Sequence, residues 1–237
     1  MAPSNILIDK LRQHSQLDSS DLSLVRKLPY HVRELAAGED FIHQGERCDA
    51  SAVVLEGCVA RYHSLKSGCR QYLSVHIAGD WPDAQSLFLA QMDHSVAAMG
   101  PAVVCTISHA ELKRVFRLRP AIGLAVWRET LIDAAIFREA ITNNSSRAGV
   151  SRLAHFFCEI LFRSKKSGVA QDSSCELPFS QTELGELLGM SIATASRHIQ
   201  SLRRSRAADF RGGRLTVTNW PRLVSIGNFD PLYLHPK

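Results

Sequence analysis

The sequence has few cysteines and never places two of them close together. The 237 residues contain six cysteines, and neither a Cys-x-x-Cys pair nor a tight cluster occurs. Zinc sites and iron–sulfur clusters are built from thiolates at short spacing, so we expect neither group here. Isolated cysteines that stay reduced are typical of the cytoplasm, which is the expected compartment.

Long apolar segments and catalytic patterns are absent as well. The sequence has no run of 18 apolar residues, and its first residues, MAPSNILIDKLRQ, lack the apolar core of a secretory signal. We therefore expect no membrane partner. Neither paired carboxylates, nor a nucleophile with its base, nor a phosphate-binding loop can be found, so an enzyme is the least favoured class of function.

Positive charge is concentrated in the second half of the chain. Residues 1–142 hold 15 Lys and Arg against 16 Asp and Glu, whereas residues 143–237 hold 13 against 7. This distribution is expected if the second half meets a polyanion such as nucleic acid, although many solvated surfaces are also basic. The length allows one large or two ordinary domains.

The stretch Gln181–Arg204 predicts two helices joined by a tight turn. Leu184 and Leu188 lie one helical turn apart and share a face of the first helix. Gly189 suits the end of that helix, because glycine adopts the left-handed conformation without a steric penalty. Ser191 then suits the N-cap of the second helix.

The second helix has one apolar and one polar face. Ala195, Ile199 and Leu202 fall on the side that can pack against the first helix. The other side consists of Ala193, Ser196, Arg197, Gln200 and Arg204. Arginine and glutamine can donate to base edges and phosphates, as in the recognition helix of a helix-turn-helix. An ordinary helical hairpin with a solvated face has a similar pattern.

A Gly-Gly turn follows this stretch and favours the DNA-binding interpretation. Gly212-Gly213 separates two short segments, Ala207–Phe210 and Leu215–Thr218, and suits the hairpin turns that need positive φ. A hairpin directly after a recognition helix is the wing of a winged helix. Arg211 and Arg214 flank its tip, where they would meet phosphates.

The first half predicts an all-β domain from about residue 30 to residue 110. Glycines recur at positions 38, 45, 57, 68 and 79. Short segments rich in β-formers lie between and after them, at Ser51–Leu55, Val59–Tyr62, Gln71–Ile77 and Ala102–Ile107. Short strands with turns every eight to twelve residues indicate an antiparallel barrel or sandwich. A run of helices would need longer periodic segments than these glycines allow.

Helical periodicity returns after this domain. Ala121–Ile141 predicts a long amphipathic helix, which could cover the edge of the barrel or pair with a copy of itself. Asn143-Asn144-Ser145-Ser146 is expected to end this helix and to mark a domain boundary. Gly149–Phe162 predicts a further amphipathic helix before the helix-turn-helix.

The order of these parts resembles the Crp/Fnr family of bacterial transcription regulators. Several local segments are similar to those of the family: the turn glycines 45, 57 and 68, Ile77–Asp80, Leu153–Ile160, Leu177–Arg204 and the ending Phe229–His235. The resemblance implies an α+β fold with an N-terminal antiparallel β-roll of the cyclic-nucleotide-binding type, a long dimerisation helix and a C-terminal winged helix-turn-helix. The expected domains are 1–119 (N-terminal helix and sensor-like roll), 120–145 (dimerisation helix) and 146–237 (DNA-binding domain).

The segment that would bind an effector departs from the family pattern. Members that bind cyclic AMP carry a Glu for the ribose and an Arg for the phosphate, followed by a Ser. At these positions this chain has Ala84, between Asp83 and Gln85, and then His94 and Ser95. Histidine lacks the bidentate fork of arginine, so we expect no cyclic AMP binding of the usual kind. The roll could instead be empty, hold another small molecule or serve only as a dimer scaffold.

The family's oxygen sensors hold an iron–sulfur cluster on cysteines near the N-terminus. The first cysteine here is Cys48, beyond the opening helix, so the resemblance gives no support for that cofactor.

The recognition helix also departs from the family pattern. The Arg–Glu pair of many members is replaced by Ile192 and Ala193, next to Ser191, while Arg197 matches a later base-contacting Arg. We expect Arg197 to read a guanine, with Ser196 and Gln200 as secondary readers. Ile192 could touch a thymine methyl, although packing inside the protein is slightly favoured. The expected phosphate contacts are Gln181, Thr182, Arg203, Arg211 and Arg214.

The expected function is therefore sequence-specific regulation of transcription. Two copies joined through Ala121–Ile141 would read a partly palindromic site on double-stranded DNA. A regulator that activates would also contact RNA polymerase, although no sequence feature marks such a surface. The alternative is a ligand-sensing or protein-interaction module whose winged helix has lost specific DNA reading, which the missing Arg–Glu pair would favour.

Overall fold

The structure is a computed structural model that describes residues 2–66, 68–170 and 172–236. The α-helices are α1 (Pro3–His14), α2 (Ser19–Arg26), α3 (His109–Leu118), α4 (Pro120–Ser146), α5 (Gly149–Lys166), α6 (Gln181–Leu187), α7 (Ile192–Arg204) and α8 (Trp220–Gly227). The strands are β1 (His31–Leu35), β2 (Asp40–Ile42), β3 (Ala50–Glu56), β4 (Val59–Ser64), β5 (Arg70–His76), β6 (Ser95–Ala98), β7 (Ala102–Ser108), β8 (Ser174–Glu176), β9 (Ala208–Arg211) and β10 (Arg214–Val217). Short 3-10 helices span Ala84–Leu87 and Pro231–Leu234.

The first seven strands form the expected roll of two sheets. One sheet has the order β1-β7-β3 and the other the order β2-β6-β4-β5. The pairing is antiparallel, with Val53 of β3 opposite Cys105 of β7. Apolar side chains of α1, α2, β3 and β7 form a core together with α3 and the start of α4. The predicted antiparallel β-roll is confirmed.

The winged helix is also confirmed, with one strand more than the sequence indicated. β9 and β10 form the wing, and Gly212 and Gly213 turn between them at φ 55° and 74°. β8 pairs with the other edge of β10, which gives a three-stranded sheet in the order β8-β10-β9. β8 is a strand that the sequence did not predict.

Helix α4 runs through the segment that was expected to break it and ends at Ser146. Asparagine favours helix ends when its side chain bonds to the local backbone. Here the Asn143 amide donates to the carbonyl oxygen of Arg152 at 3.1 Å, and the Asn144 amide donates to that of Leu187 at 3.3 Å. Because both amides bind more distant partners, they leave the helical hydrogen bonds intact.

The chain divides into two compact units by its internal contacts. One contains residues up to 63 and 75–134, and the other contains 64–74 and 135–234. Helix α4 supplies residues to both. None of the helices within the described residues is long and apolar enough to span a bilayer.

Candidate nucleic-acid interface

Helix α7 is positioned by a buried apolar face. Ala195, Ile199 and Leu202 are buried, as the spacing predicted, against an apolar interior that includes Leu184 of α6. A close approach fixes the turn before α7: a Cβ atom built on Gly185 would lie 2.6 Å from the carbonyl oxygen of Met190. Such contacts fix the orientation of α7 relative to α6.

Both helices of the motif begin at side-chain caps. The Ser180 hydroxyl accepts from the Glu183 amide, while the Glu183 carboxylate accepts from the Ser180 amide, which forms a capping box. The Ser191 hydroxyl accepts from the amide of Thr194 at 3.2 Å. The predicted N-cap of the recognition helix is therefore confirmed.

The face of α7 opposite the core is open to solvent. Ser191, Ile192, Ala193, Arg197 and Gln200 are exposed, as is Thr182 on α6. The Arg197 guanidinium donates to the Thr194 hydroxyl at 3.1 Å, which holds it along the helix surface. Its remaining donors suit the O6 and N7 acceptors of guanine.

Gln181 and Ser196 form a pair between the two helices of the motif. The Ser196 hydroxyl donates to the side-chain oxygen of Gln181 at 2.9 Å, and both residues are half-buried. This contact joins an expected phosphate contact to an expected base reader. The bond occupies the hydroxyl proton, so Ser196 has only acceptor capacity left for a base.

The preference for a packed Ile192 was wrong. The structure leaves Ile192 53% exposed at the first position of α7. Ile192 is the first residue of α7 and precedes the buried stripe of Ala195, Ile199 and Leu202, so its side chain lies at the surface. An exposed aliphatic side chain here can touch the methyl group of a thymine, which only the major groove presents.

Two of the expected phosphate contacts are paired with acids. The Arg203 guanidinium donates to the carboxylate of Asp209 at 2.6 Å, and that of Arg214 donates to Glu176 at 2.6 Å. The hydrogen bond to Asp209 raises the pKa of Arg203. These pairs lie at the surface, where ion pairs are weak and screened by salt. The second pair has no local sequence signal, because Glu176 lies opposite Arg214 through the pairing of β8 with β10.

The five residues expected at an effector site are only partly brought together. Asp83 accepts a hydrogen bond from the amide of Ala52 at 2.8 Å, and Ala84 is buried in the apolar core. The Ser95 hydroxyl accepts from the amide of Gln44 at 3.0 Å. Within this set Gln85 contacts His94, through its amide at 3.3 Å.

The chemistry of these residues does not fit a cyclic nucleotide. His94 donates from Nδ1 to the carboxylate of Asp93 at 2.7 Å, while its Nε2 accepts from the Gln85 amide. A ring bonded in this way has no N–H left for a phosphate, and burial lowers its pKa. Ala84, at the ribose position, has no polar group.

Metal binding would require a group of suitable side chains within the described residues. Among them, no three or more His, Cys, Asp or Glu side chains are grouped so that they could hold a metal ion.

Comparison with known proteins agrees with this geometry. The profile of the cyclic nucleotide-binding domain matches residues 32–118, and that of the Crp-like helix-turn-helix domain matches residues 151–226. The transcriptional activator protein FnrL of Cereibacter sphaeroides is 22% identical over 223 residues, 91% of this chain and 88% of that protein. The nitrogen fixation regulation protein FixK of Bradyrhizobium diazoefficiens is 23% identical over 212 residues, 90% of this chain and 88% of that protein.

The fold is shared with solved structures. FixK2 from Bradyrhizobium japonicum superposes with a TM-score of 0.75 at 20% identity, over 84% of this chain and 98% of that one. A roll, a long helix and a winged helix thus occur here in the order of these proteins, with both domain profiles matched. The chain belongs to the Crp/Fnr family of DNA-binding transcription regulators.

Proposed function

We propose that this protein is a homodimer that binds a partly palindromic DNA site with one α7 helix in each of two major grooves, and that cyclic AMP does not control it. The observation that carries the proposal is the exposed face of α7, where Arg197, Gln200 and Ile192 project from a helix whose other face is buried. The protein acts through binding and not through catalysis. The proposed domains are 1–119, 120–145 and 146–237.

A second copy of the chain is the occupant that best suits helix α4. Leu124, Trp127 and Leu131 project from one stripe of this helix and are 65%, 55% and 50% exposed. A stripe of three large apolar side chains on a helix is suited to pairing with a second helix. Ile141 extends the stripe along the same helix. A dimer through Ala121–Ile141 would set the two recognition helices about 34 Å apart, one turn of DNA.

The proposal is tested by selecting bound duplexes from a random pool with the full chain. We expect an enriched sequence with two related half-sites about 10 base pairs apart, centre to centre. Enrichment should be unchanged by cyclic AMP. Recovery of no preferred sequence would contradict the proposal and favour a protein-interaction module.

Arg197→Ala is expected to weaken binding to the selected site by about 1–3 kcal/mol and to relax the preference at one base pair of each half-site. The reason is the loss of the two guanidinium donors that would pair with a guanine. Repeated selection with the variant measures the relaxation. Arg222→Ala, an exposed arginine on α8, is the control. Retention of the full preference by Arg197→Ala would remove this residue from the readers.

Arg211→Ala is expected to weaken binding to every duplex alike. Arg211 is exposed at the end of β9, beside the turn of the wing. A guanidinium that only meets phosphate contributes through counterion release, so the slope of log affinity against log salt should fall by about 1. Titration at four salt concentrations with specific and random DNA measures both effects. A loss confined to the specific site would instead make Arg211 a base reader.

A further inference from the structure

Two cations, the buried Arg61 and the half-buried Lys10, join the loop after β5 to helix α4. The loop comprises residues 80–83, and we call it the roll loop. Arg61 of β4 donates from Nε to the carbonyl oxygen of Pro82 at 2.6 Å and from a terminal nitrogen to the carboxylate of Asp133 at 2.7 Å. Its side chain is only 4% exposed. One guanidinium therefore holds the roll loop on one side and α4 on the other.

Lys10 of α1 makes the second connection. Its ammonium lies 2.9 Å from the carboxylate of Asp80 in the roll loop and 3.4 Å from that of Glu129 in α4. Glu129 and Asp133 are four residues apart, so they lie on the same face of the helix. The face of α4 that meets the roll loop is thus acidic, and each acid is linked to the loop by its own cation.

These bridges depend on every partner being in place. A charge buried without its partner is strongly unfavourable, whereas a charge with all its hydrogen bonds made is tolerated. Arg61 is buried, so movement of the roll loop away from α4 would cost it the hydrogen bonds to the carbonyl oxygens of Trp81 and Pro82. The two elements are consequently coupled by the chain's own side chains.

We propose that Arg61, with Lys10, locks the roll loop to helix α4, so that the DNA-binding arrangement is held without a small-molecule effector. Arg61 is a positioning residue: it touches no DNA and acts through the orientation of α4, the proposed dimer helix. The inference rests on the proposed function, because its main consequence is read as DNA affinity.

The test begins with removal of any co-purified small molecule. The full chain is unfolded in guanidinium, dialysed and refolded, and its affinity for the selected duplex is measured with and without an extract of small molecules. We expect the refolded protein to bind as tightly as the untreated protein and the extract to change nothing. Affinity that is lost on refolding and restored by the extract would overturn the inference.

Asp133→Asn and Arg61→Met break the lock in two different ways. We expect each variant to lose at least tenfold in affinity for the duplex and to show faster amide exchange in residues 125–135 of α4. Arg128→Gln is the control, because Arg128 lies on the same helix but donates to the carbonyl oxygen of His14 in α1. Wild-type affinity and exchange in a folded Asp133→Asn variant would overturn the inference. If Asp133→Asn does not fold, the same measurements on Arg61→Met decide the question.

Failure of the proposed function would look different. If neither the untreated nor the refolded protein bound any duplex, the proposed function would fail, and amide exchange in α4 would still decide whether the lock exists. Faster exchange in Asp133→Asn but not in Arg128→Gln would support it. Equal exchange in all three proteins would refute it.

Discussion

Replacement of Gly185 by alanine is expected to destabilise the helix-turn-helix by about 2 kcal/mol and to weaken DNA binding at least tenfold. The added Cβ would lie 2.6 Å from the carbonyl oxygen of Met190, a distance at which something must shift. That oxygen belongs to the backbone of the turn, which cannot rotate away as a side chain can. Overpacking of this kind costs about 1–3 kcal/mol, and the better helix propensity of alanine recovers up to about 1 kcal/mol.

Gly149→Ala is the matched control for this prediction. A Cβ on Gly149 would also be crowded, at 2.3 Å from Nε2 of His198, but the contact is with a side chain that can change rotamer. We therefore expect a smaller loss of stability at this position. Urea unfolding and a gel shift compare the two variants. A Gly185→Ala variant as stable as the wild type would show that the turn can move without cost.

Asp83→Asn is expected to remove the contribution of Asp83 to the pH dependence of stability between about pH 4 and pH 7. Burial raises the pKa of Asp83 from 3.8 to about 7. Between these values the folded protein keeps a proton that the unfolded chain releases, so the free energy of unfolding falls as pH rises. The full effect amounts to about 4 kcal/mol above pH 7, at about 1.4 kcal/mol per pKa unit.

The substituted amide has no carboxyl proton to lose, yet its oxygen can still accept the hydrogen bond from Ala52. The variant should therefore become more stable than the wild type at pH 8 and lack the fall in stability that Asp83 causes between about pH 4 and pH 7. Urea unfolding at five pH values measures this difference. Asp9→Asn, at an exposed position of α1, is the control and should leave the profile unchanged. Identical profiles for Asp83→Asn and the wild type would contradict the prediction.

The DNA-binding half could be predicted well because its signals are local. The cap Ser191, the apolar spacing within α7 and the Gly-Gly turn each act within a few residues. Strand β8 was missed because three residues in a polar segment carry little pattern. Its pairing with β10 is set by tertiary contacts, which no local rule reveals.

The roll was predicted in outline but not strand by strand. β1 is exposed at four of its five positions and therefore lacks an apolar alternation. β6 has the sequence SVAA, which is buried throughout and rich in small residues with low β-propensity. Strands of this kind are defined by their neighbours in the sheet.

The connections made by Arg61 could not be predicted from the sequence, for a different reason. Arg61 and Asp133 are separated by 72 positions, and neither belongs to a recognisable motif. A buried ion pair follows from how elements meet in three dimensions. The substitutions at Ala84 and His94 were visible from the resemblance, but the polar partners that occupy His94 required the structure.

The end of α4 has a mechanical consequence. Its last turns are joined to the DNA-binding half by the amides of Asn143 and Asn144. The second of these binds the carbonyl oxygen of Leu187 at the end of α6. We expect a helix fastened in this way to pass a rotation about its axis to the helix-turn-helix. Loss of both amides would let the helix-turn-helix rotate relative to the end of α4, and the protein would then tolerate a wider range of spacings between half-sites.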